Sequence, residues 1–115
     1  MRASKRKIAI AAFRCALIAT LIIYGQLAGA VMTKGAAPCG EWLESRQAQT
    51  ALPDEYWLLG YLSGLALGTG LDVLNGVKSA SLAAWVDNYC KQYPLENLST
   101  AGSKLFDELK ARYRR

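Results

Sequence analysis

Two cysteines, Cys39 and Cys90, set the main constraint on how this chain can fold. A third, Cys15, lies in a hydrophobic leader, so removal of the leader would leave an even pair. Paired cysteines are typical of exported proteins, because disulfides form and persist in oxidising compartments. A bond between Cys39 and Cys90 would close a loop of about fifty residues and stabilise the domain by about 4 kcal/mol in the chain-entropy model. The alternative is two unpaired buried thiols.

Residues 1–30 have the organisation of a cleavable signal peptide. A basic start, Met1–Lys7, precedes a mainly apolar segment, Ile8–Tyr24. The small residues Ala28-Gly29-Ala30 then predict cleavage after Ala30. A retained membrane anchor is the alternative, although Arg14 would be costly near the centre of a bilayer. The short basic leader is of bacterial type and predicts a periplasmic protein.

Charge is distributed unevenly between the leader and the rest of the chain. The leader holds five basic residues and no acidic residue, whereas residues 31–115 hold nine of each. A nucleic-acid-binding protein needs a positive surface, and cleavage would remove the positive excess of this chain. We therefore expect no nucleic-acid partner and no stable membrane insertion after cleavage. The predicted mature chain has a flexible N-terminus at 31–38 and a single helical domain at 39–115.

An all-α, compact bundle of about four helices is predicted for this domain. Pro53 suits the first turn of the second helix, and Pro94 ends the third. The fourth helix is expected to bury one apolar face. The predicted ranges are Cys39–Gln49, Pro53–Thr69, a third helix capped by Ser79 or Ser81, and Leu95–Tyr113 with Leu98, Ala101, Leu105, Leu109 and Tyr113 inward.

The third helix has the clearest periodic pattern. Its apolar residues recur at i, i+3, i+4, i+7 and i+8, a spacing typical of a helix with one buried face. These residues are Leu82, Trp85, Val86, Tyr89 and Cys90. Because Cys90 belongs to this stripe, we expect its disulfide to lie in the core and to join the first helix to the third.

The second helix is the most apolar part of the domain, with no charged residue in the segment 56–71. Three glycines, Gly60, Gly64 and Gly68, share one face because they recur at every fourth position. Each glycine lowers helix stability by about 1 kcal/mol relative to alanine. We therefore expect this stripe to pack against another helix or a large side chain, in a central helix buried on all sides. The same helix-packing role is predicted for Trp42, Trp57, Trp85 and Tyr89.

The sequence offers no arrangement of catalytic or metal-binding residues. Histidine is absent, which excludes Ser–His and Cys–His catalysis. Two isolated cysteines supply only half of a zinc shell. Asp72 and Asp87 are interpreted as surface acids. We therefore expect a non-enzymatic protein without metal or cofactor, and Tyr61, Tyr93 and the 70–80 loop are candidate contact residues for a protein partner.

Four segments of the chain resemble the Rap/Tai immunity-protein family. They are Cys39-Gly40-Glu41-Trp42-Leu43, Trp57-Leu58-Leu59-Gly60-Tyr61-Leu62-Ser63-Gly64, Trp85-Val86-Asp87-Asn88-Tyr89-Cys90, and Pro94-Leu95 before an amphipathic helix. That family consists of small periplasmic helical proteins that bind and neutralise type VI secretion effectors. In general build the chain is also similar to HdeA-type acid-stress chaperones, which are helical, periplasmic and closed by one disulfide.

The resemblance implies a binding protein that occludes one toxic partner. The two family cysteines match Cys39 and Cys90, whereas no effector-binding residue can be transferred to this sequence. An acid-activated chaperone is the first alternative, and it would need many carboxylates whose protonation drives opening. A structural periplasmic protein without an antagonistic role is the second. The sequence also leaves open whether the domain forms a homodimer.

Overall fold

The computed structural model describes residues 32–115. This part of the chain contains four helices and no β-strand, which confirms the predicted all-α fold. The helices are α1 (Cys39–Gln47), α2 (Leu52–Thr69), α3 (Ser79–Gln92) and α4 (Leu98–Tyr113). None of them is both long and apolar enough to span a membrane. The predicted signal peptide and its cleavage site after Ala30 lie outside the described residues.

The order in which the helices pack determines which surfaces stay open. The main contacts are α2 with α4, α4 with α3, and α3 with α1. α3 and α4 therefore each have two principal neighbours, whereas α1 and α2 each have one. The largest buried side chains come from all four helices and form one core: Trp42, Leu58, Leu62, Val86, Leu98 and Phe106.

The predicted disulfide is confirmed. The sulfur atoms of Cys39 and Cys90 are 2.08 Å apart, and both residues are fully buried. The bond joins the first residue of α1 to the last turn of α3. It closes a loop with a sequence separation of 51, so the linked core positions come from distant parts of the chain.

The segment before α1, predicted to be flexible, is attached to the domain at several points. The Leu98 amide donates to the Ala37 carbonyl at 2.9 Å, and the Cys39 amide donates to the Glu96 carbonyl at 2.8 Å. The Trp57 indole also donates to the Lys34 carbonyl at 2.7 Å. These bonds hold the described residues ahead of α1 against α2 and the start of α4.

The start of α4 and the N-cap of α3 differ most from the prediction. α4 begins at Leu98 rather than Leu95, because the Asn97 side chain accepts hydrogen bonds from the amides of Ser99 and Thr100 and so caps the helix. Neither predicted serine caps α3, whose N-cap residue is Lys78.

The inward face of α4 also departs from the prediction at its end. Four of the five residues predicted to face inward are buried: Leu98, Ala101, Leu105 and Leu109. Tyr113 is 56% exposed, so its predicted inward position is wrong. Tyr113 is the last residue of α4. The neighbouring helices do not cover this end of the helix.

Candidate protein-interaction surface

The outer face of α2 carries no charged residue. We define it by Tyr56, Gly60, Ser63, Gly64 and Leu67, all of which are exposed. Tyr56 is 65% exposed and Leu67 is 84% exposed, although both are large apolar residues. An exposed apolar surface of this kind on a folded domain commonly marks a site of interaction.

The glycine stripe lies on this face instead of in the core. A Cβ atom added at Gly60, Gly64 or Gly68 would meet nothing within 4 Å. The prediction that α2 is buried on all sides is therefore wrong, and no helix of the described domain fills the stripe. The reason is the packing order, because α4 is the one principal neighbour of α2.

The hydroxyls of Ser63 and Thr69, on and beside this face, bond to α2 itself. The Ser63 hydroxyl donates to the Leu59 carbonyl at 2.7 Å, and the Thr69 hydroxyl donates to the Leu65 carbonyl at 2.7 Å. A hydroxyl whose hydrogen is already donated offers little to a partner beyond its remaining lone pairs.

Two depressions flank the outer face on opposite sides of α2. One, of about 430 Å³, is lined by Lys34, Tyr56, Trp57, Gly60 and Tyr61 among others. The second, also about 430 Å³, is lined by Ala66, Leu67, Gly70, Leu71 and Leu74 among others. One lies beside the first half of the helix and the other beside its second half. Each depression also includes a charged residue, Lys34 in the first and Asp72 in the second.

The end of α2 is fixed by its sequence. Gly70 has a φ of 67°, a left-handed conformation that glycine adopts at low cost. The Leu71 amide then donates back to the Ala66 carbonyl at 3.2 Å, which completes a Schellman-type cap. In the loop that follows, Val73 is buried while Leu71 and Leu74 pack partly against the core. This rigid turn forms one wall of the second depression.

A polar cluster lies between α1 and α3 and reaches the start of α2. Asp87 accepts hydrogen bonds from the Trp42 indole at 2.8 Å and from Arg46 Nε at 3.0 Å and Nη2 at 2.9 Å. Arg46 Nη1 also donates to Glu55 of α2 at 2.6 Å. The hydrogen bond to Asp87 is the main reason why the pKa of Arg46 is raised. Asp87, interpreted from sequence as a surface acid, is thus the acceptor that joins α1 to α3.

The depression beside this cluster measures about 550 Å³ and is lined by Arg46, Glu55 and Asp87 among others. Glu55 and Asp87 each already pair with Arg46. A ligand would have to compete with these existing ion pairs. The geometry is therefore that of a cross-link between helices.

An aromatic row runs along α3. The rings of Trp85 and Tyr89 stack with centroids 5.6 Å apart, and those of Tyr89 and Tyr93 lie 4.8 Å apart. The Trp85 indole donates to Glu108 of α4 at 2.8 Å, and this bond is the main reason why the pKa of Glu108 is lowered. Burial, with nearby Glu96 and Tyr93, raises the pKa of Tyr89. Trp85 thus contacts α4, and it does not lie against the glycines of α2.

The remaining candidates from sequence occupy different environments. Trp42 is fully buried. Trp57 stacks on Tyr61 with ring centroids 5.1 Å apart, and the Tyr61 hydroxyl bonds Ser103 at 2.8 Å. Tyr61 is therefore engaged within the domain, whereas Tyr93 is 47% exposed. Within residues 32–115, no three or more Asp, Glu, Cys or His side chains are grouped so that they could hold a metal ion.

No protein-family model, curated protein or solved structure shows significant similarity to the chain.

Proposed function

We propose that this chain is a non-enzymatic periplasmic binding protein of the immunity type, which occludes one protein partner. The observation that carries the proposal is the uncharged outer face of α2, which presents Tyr56 and Leu67 on a domain closed by a buried disulfide. A helix packed on one side and joined to a cross-linked core gives a partner a preformed surface. Preformed surfaces bind with a smaller loss of conformational entropy.

The residues between these two side chains support the same proposal. Gly60 and Gly64 each lower helix stability by about 1 kcal/mol relative to alanine, yet the described domain places nothing against them. An external neighbour would give these glycines a packing role. The resemblance to the Rap/Tai family supplies the class of partner, a type VI secretion effector.

Co-expression with the product of the neighbouring gene tests this function. We expect that product to arrest growth when it is exported alone, and growth to recover when this chain is exported with it. The two proteins should co-purify in a fixed ratio. A toxic neighbour that is neither bound nor neutralised would contradict the immunity proposal.

An acid-stress chaperone is the second candidate, and one observation favours it. Asp87 and Glu108 each accept a hydrogen bond from a tryptophan that links two helices. Protonation of Glu108 at low pH would weaken the link that it makes with Trp85. Circular dichroism and apolar-dye binding between pH 7 and pH 2 separate the candidates. A sharp rise in dye binding near pH 3 with retained helicity, together with protection of client proteins, would favour the chaperone.

A further inference from the structure

We propose that Asn75 is a site of spontaneous deamidation, in which its side-chain amide becomes a carboxylate through a cyclic imide formed with the backbone nitrogen of Gly76. Both residues lie in the loop between α2 and α3. Asparagine is one of the thermolabile residues of proteins. The inference is independent of the proposed binding function. It is carried by the exposure of this pair, by the hydrogen bonds of the turn and by the contrast with the two other asparagines of the chain.

The reaction needs only these two residues and water. The Gly76 backbone nitrogen loses its proton to solvent and attacks Cγ of Asn75, and the bond from Cγ to Nδ2 breaks as ammonia leaves. Water then opens the five-membered imide at one of its two carbonyl carbons. Opening at the side-chain carbonyl gives aspartate, and opening at the backbone carbonyl gives isoaspartate. The net change is the exchange of one water for one ammonia, so no oxidant or reductant takes part.

The pair is open to solvent and to the close approach that the ring requires. Asn75 and Gly76 are both exposed, and a Cβ added at Gly76 would meet nothing within 4 Å. Because glycine has no side chain, nothing on Gly76 hinders the approach of its nitrogen to the preceding side chain. The surroundings of the pair therefore leave room for the imide.

The hydrogen bonds of the turn leave the attacking nitrogen free. The Val77 amide donates to the Leu74 carbonyl at 3.0 Å, and the Asn75 amide donates to the Asp72 carbonyl at 3.4 Å. Between them, the Gly76 amide donates no hydrogen bond to any residue of the segment 32–115. One exposed hydrogen bond, from Asn75 Nδ2 to Asp72 Oδ2 at 3.1 Å, holds the side chain. Its net contribution is about 1 kcal/mol, so the side chain can turn toward Gly76 at low cost.

The two other asparagines are in the opposite situation. Asn88 lies inside α3, where the amide of the following residue, Tyr89, belongs to the helical hydrogen-bond ladder. Asn97 caps α4, and the amide of the following residue, Leu98, donates to the Ala37 carbonyl at 2.9 Å. Both are also followed by a large side chain. The nitrogen that would attack is therefore engaged in each case, and the chain contains two internal controls.

The product differs from the original loop in charge. A carboxylate at position 75 no longer donates to Asp72 and instead places a second negative charge beside it. Asp72 also lines the second depression, next to Leu71 and Leu74. Deamidation therefore makes this rim more acidic, within the 70–80 loop that the sequence offers as a contact surface.

The test incubates the full mature chain, with its disulfide intact, at pH 8 and follows each asparagine by peptide mapping and mass spectrometry. Asn75→Gln is the matched variant, because glutamine keeps the amide but must close a larger ring that forms more slowly. Circular dichroism establishes that this variant folds. Wild-type chain that is reduced and unfolded in guanidinium chloride gives the rates without structure. Ion-exchange chromatography separates the more acidic product.

We expect Asn75 in the folded chain to lose its amide at least tenfold faster than Asn88 or Asn97, and to give both aspartate and isoaspartate. The wild type should accumulate an acidic form that Asn75→Gln does not. Loss of the amide at Asn75 no faster than at the two controls would overturn the inference. So would conversion of Asn75 in the unfolded chain alone, because the folded turn would then protect the residue.

Discussion

The α1–α3 side of the domain and the outer face of α2 are stabilised in opposite ways. On the α1–α3 side, a buried disulfide and the Asp87 cluster join the helices through covalent and charged contacts. On and beside the outer face of α2, a Cβ added at any of three glycines would meet open space, and Tyr56 and Leu67 are largely exposed. The first side gains stability from its residues, whereas the second carries residues that lower it.

This difference indicates which surface is available for binding. Side chains that satisfy one another within the domain resist rearrangement and leave few groups for a partner. Residues that lower the stability of a helix are kept during evolution most readily where a function requires them. The contrast can be tested by substitutions on each side, since those on the α1–α3 side should destabilise and those on the outer face should not.

Removal of the disulfide should have the largest effect. Cys39→Ala with Cys90→Ala should lower the free energy of unfolding by about 4 kcal/mol, because the unfolded chain regains the freedom of a long loop. For a domain of this size the melting temperature should fall by roughly 15–30 °C. Thermal denaturation followed by circular dichroism measures it, with reduced wild-type protein as the control. A melting temperature within a few degrees of the wild type would contradict the stabilising role assigned to the bond.

Asp87→Ala should come next. It leaves the Trp42 indole and two nitrogens of Arg46 without their acceptor, and we expect a loss of about 2–3 kcal/mol. Glu55→Ala is the matched control, because it removes only the more exposed ion pair of the same arginine and should cost less than about 1 kcal/mol. Urea unfolding of both variants provides the comparison. Equal losses in the free energy of unfolding would show that the Asp87 contacts between α1 and α3 stabilise the domain no more than the Arg46–Glu55 ion pair does.

A pair of glycine variants tests the two regions with the same added methyl group. Gly64→Ala should raise stability by about 1 kcal/mol, because the new Cβ meets open space. Gly102→Ala should lower it by about 1–2 kcal/mol, because its Cβ would lie 2.8 Å from Cδ1 of Tyr61. Tyr61 cannot easily move away, since it stacks on Trp57 and bonds Ser103. Urea unfolding measures the stability of both variants. A change of the same sign in both would contradict the contrast between the two regions.

The sequence was sufficient to predict the bundle and its disulfide, but not the orientation of α2. The stripe on α3 is amphipathic, so its period identifies the buried face, and Leu82, Val86 and Cys90 are buried as predicted. The segment 56–71 has no charged residue on any side, so periodicity cannot distinguish its covered face from its exposed one. The helical glycine that does pack closely is Gly102, which stands alone in the α4 sequence without a repeating pattern.

The Asp87 cluster could have been found from the disulfide. Cys39 and Cys90 lie near the ends of their helices, and Trp42 and Asp87 are each three positions from a cysteine, toward the middle of α1 and α3. Residues three apart share a helix face, so the disulfide predicts that these two side chains approach each other. The link from Arg46 to Glu55 has no such signal, because it depends on where the loop after α1 places the start of α2.

The smallest effect is expected at Glu108, where the contact between α3 and α4 is partly open to solvent. Its pKa is lowered chiefly by the Trp85 hydrogen bond, so the ionised form stabilises the fold at pH values above its ordinary pKa of 4.5, and this contribution is lost as the pH falls through the lowered value. Glu108→Gln keeps an acceptor but removes the charge. We expect a loss of less than about 1 kcal/mol at neutral pH, because more than a third of the side chain is exposed. Urea unfolding at neutral pH and below pH 4.5 measures the difference in the free energy of unfolding between variant and wild type. We expect this difference to become smaller in acid. A difference that stays constant would show that packing, and not charge, provides the stabilisation.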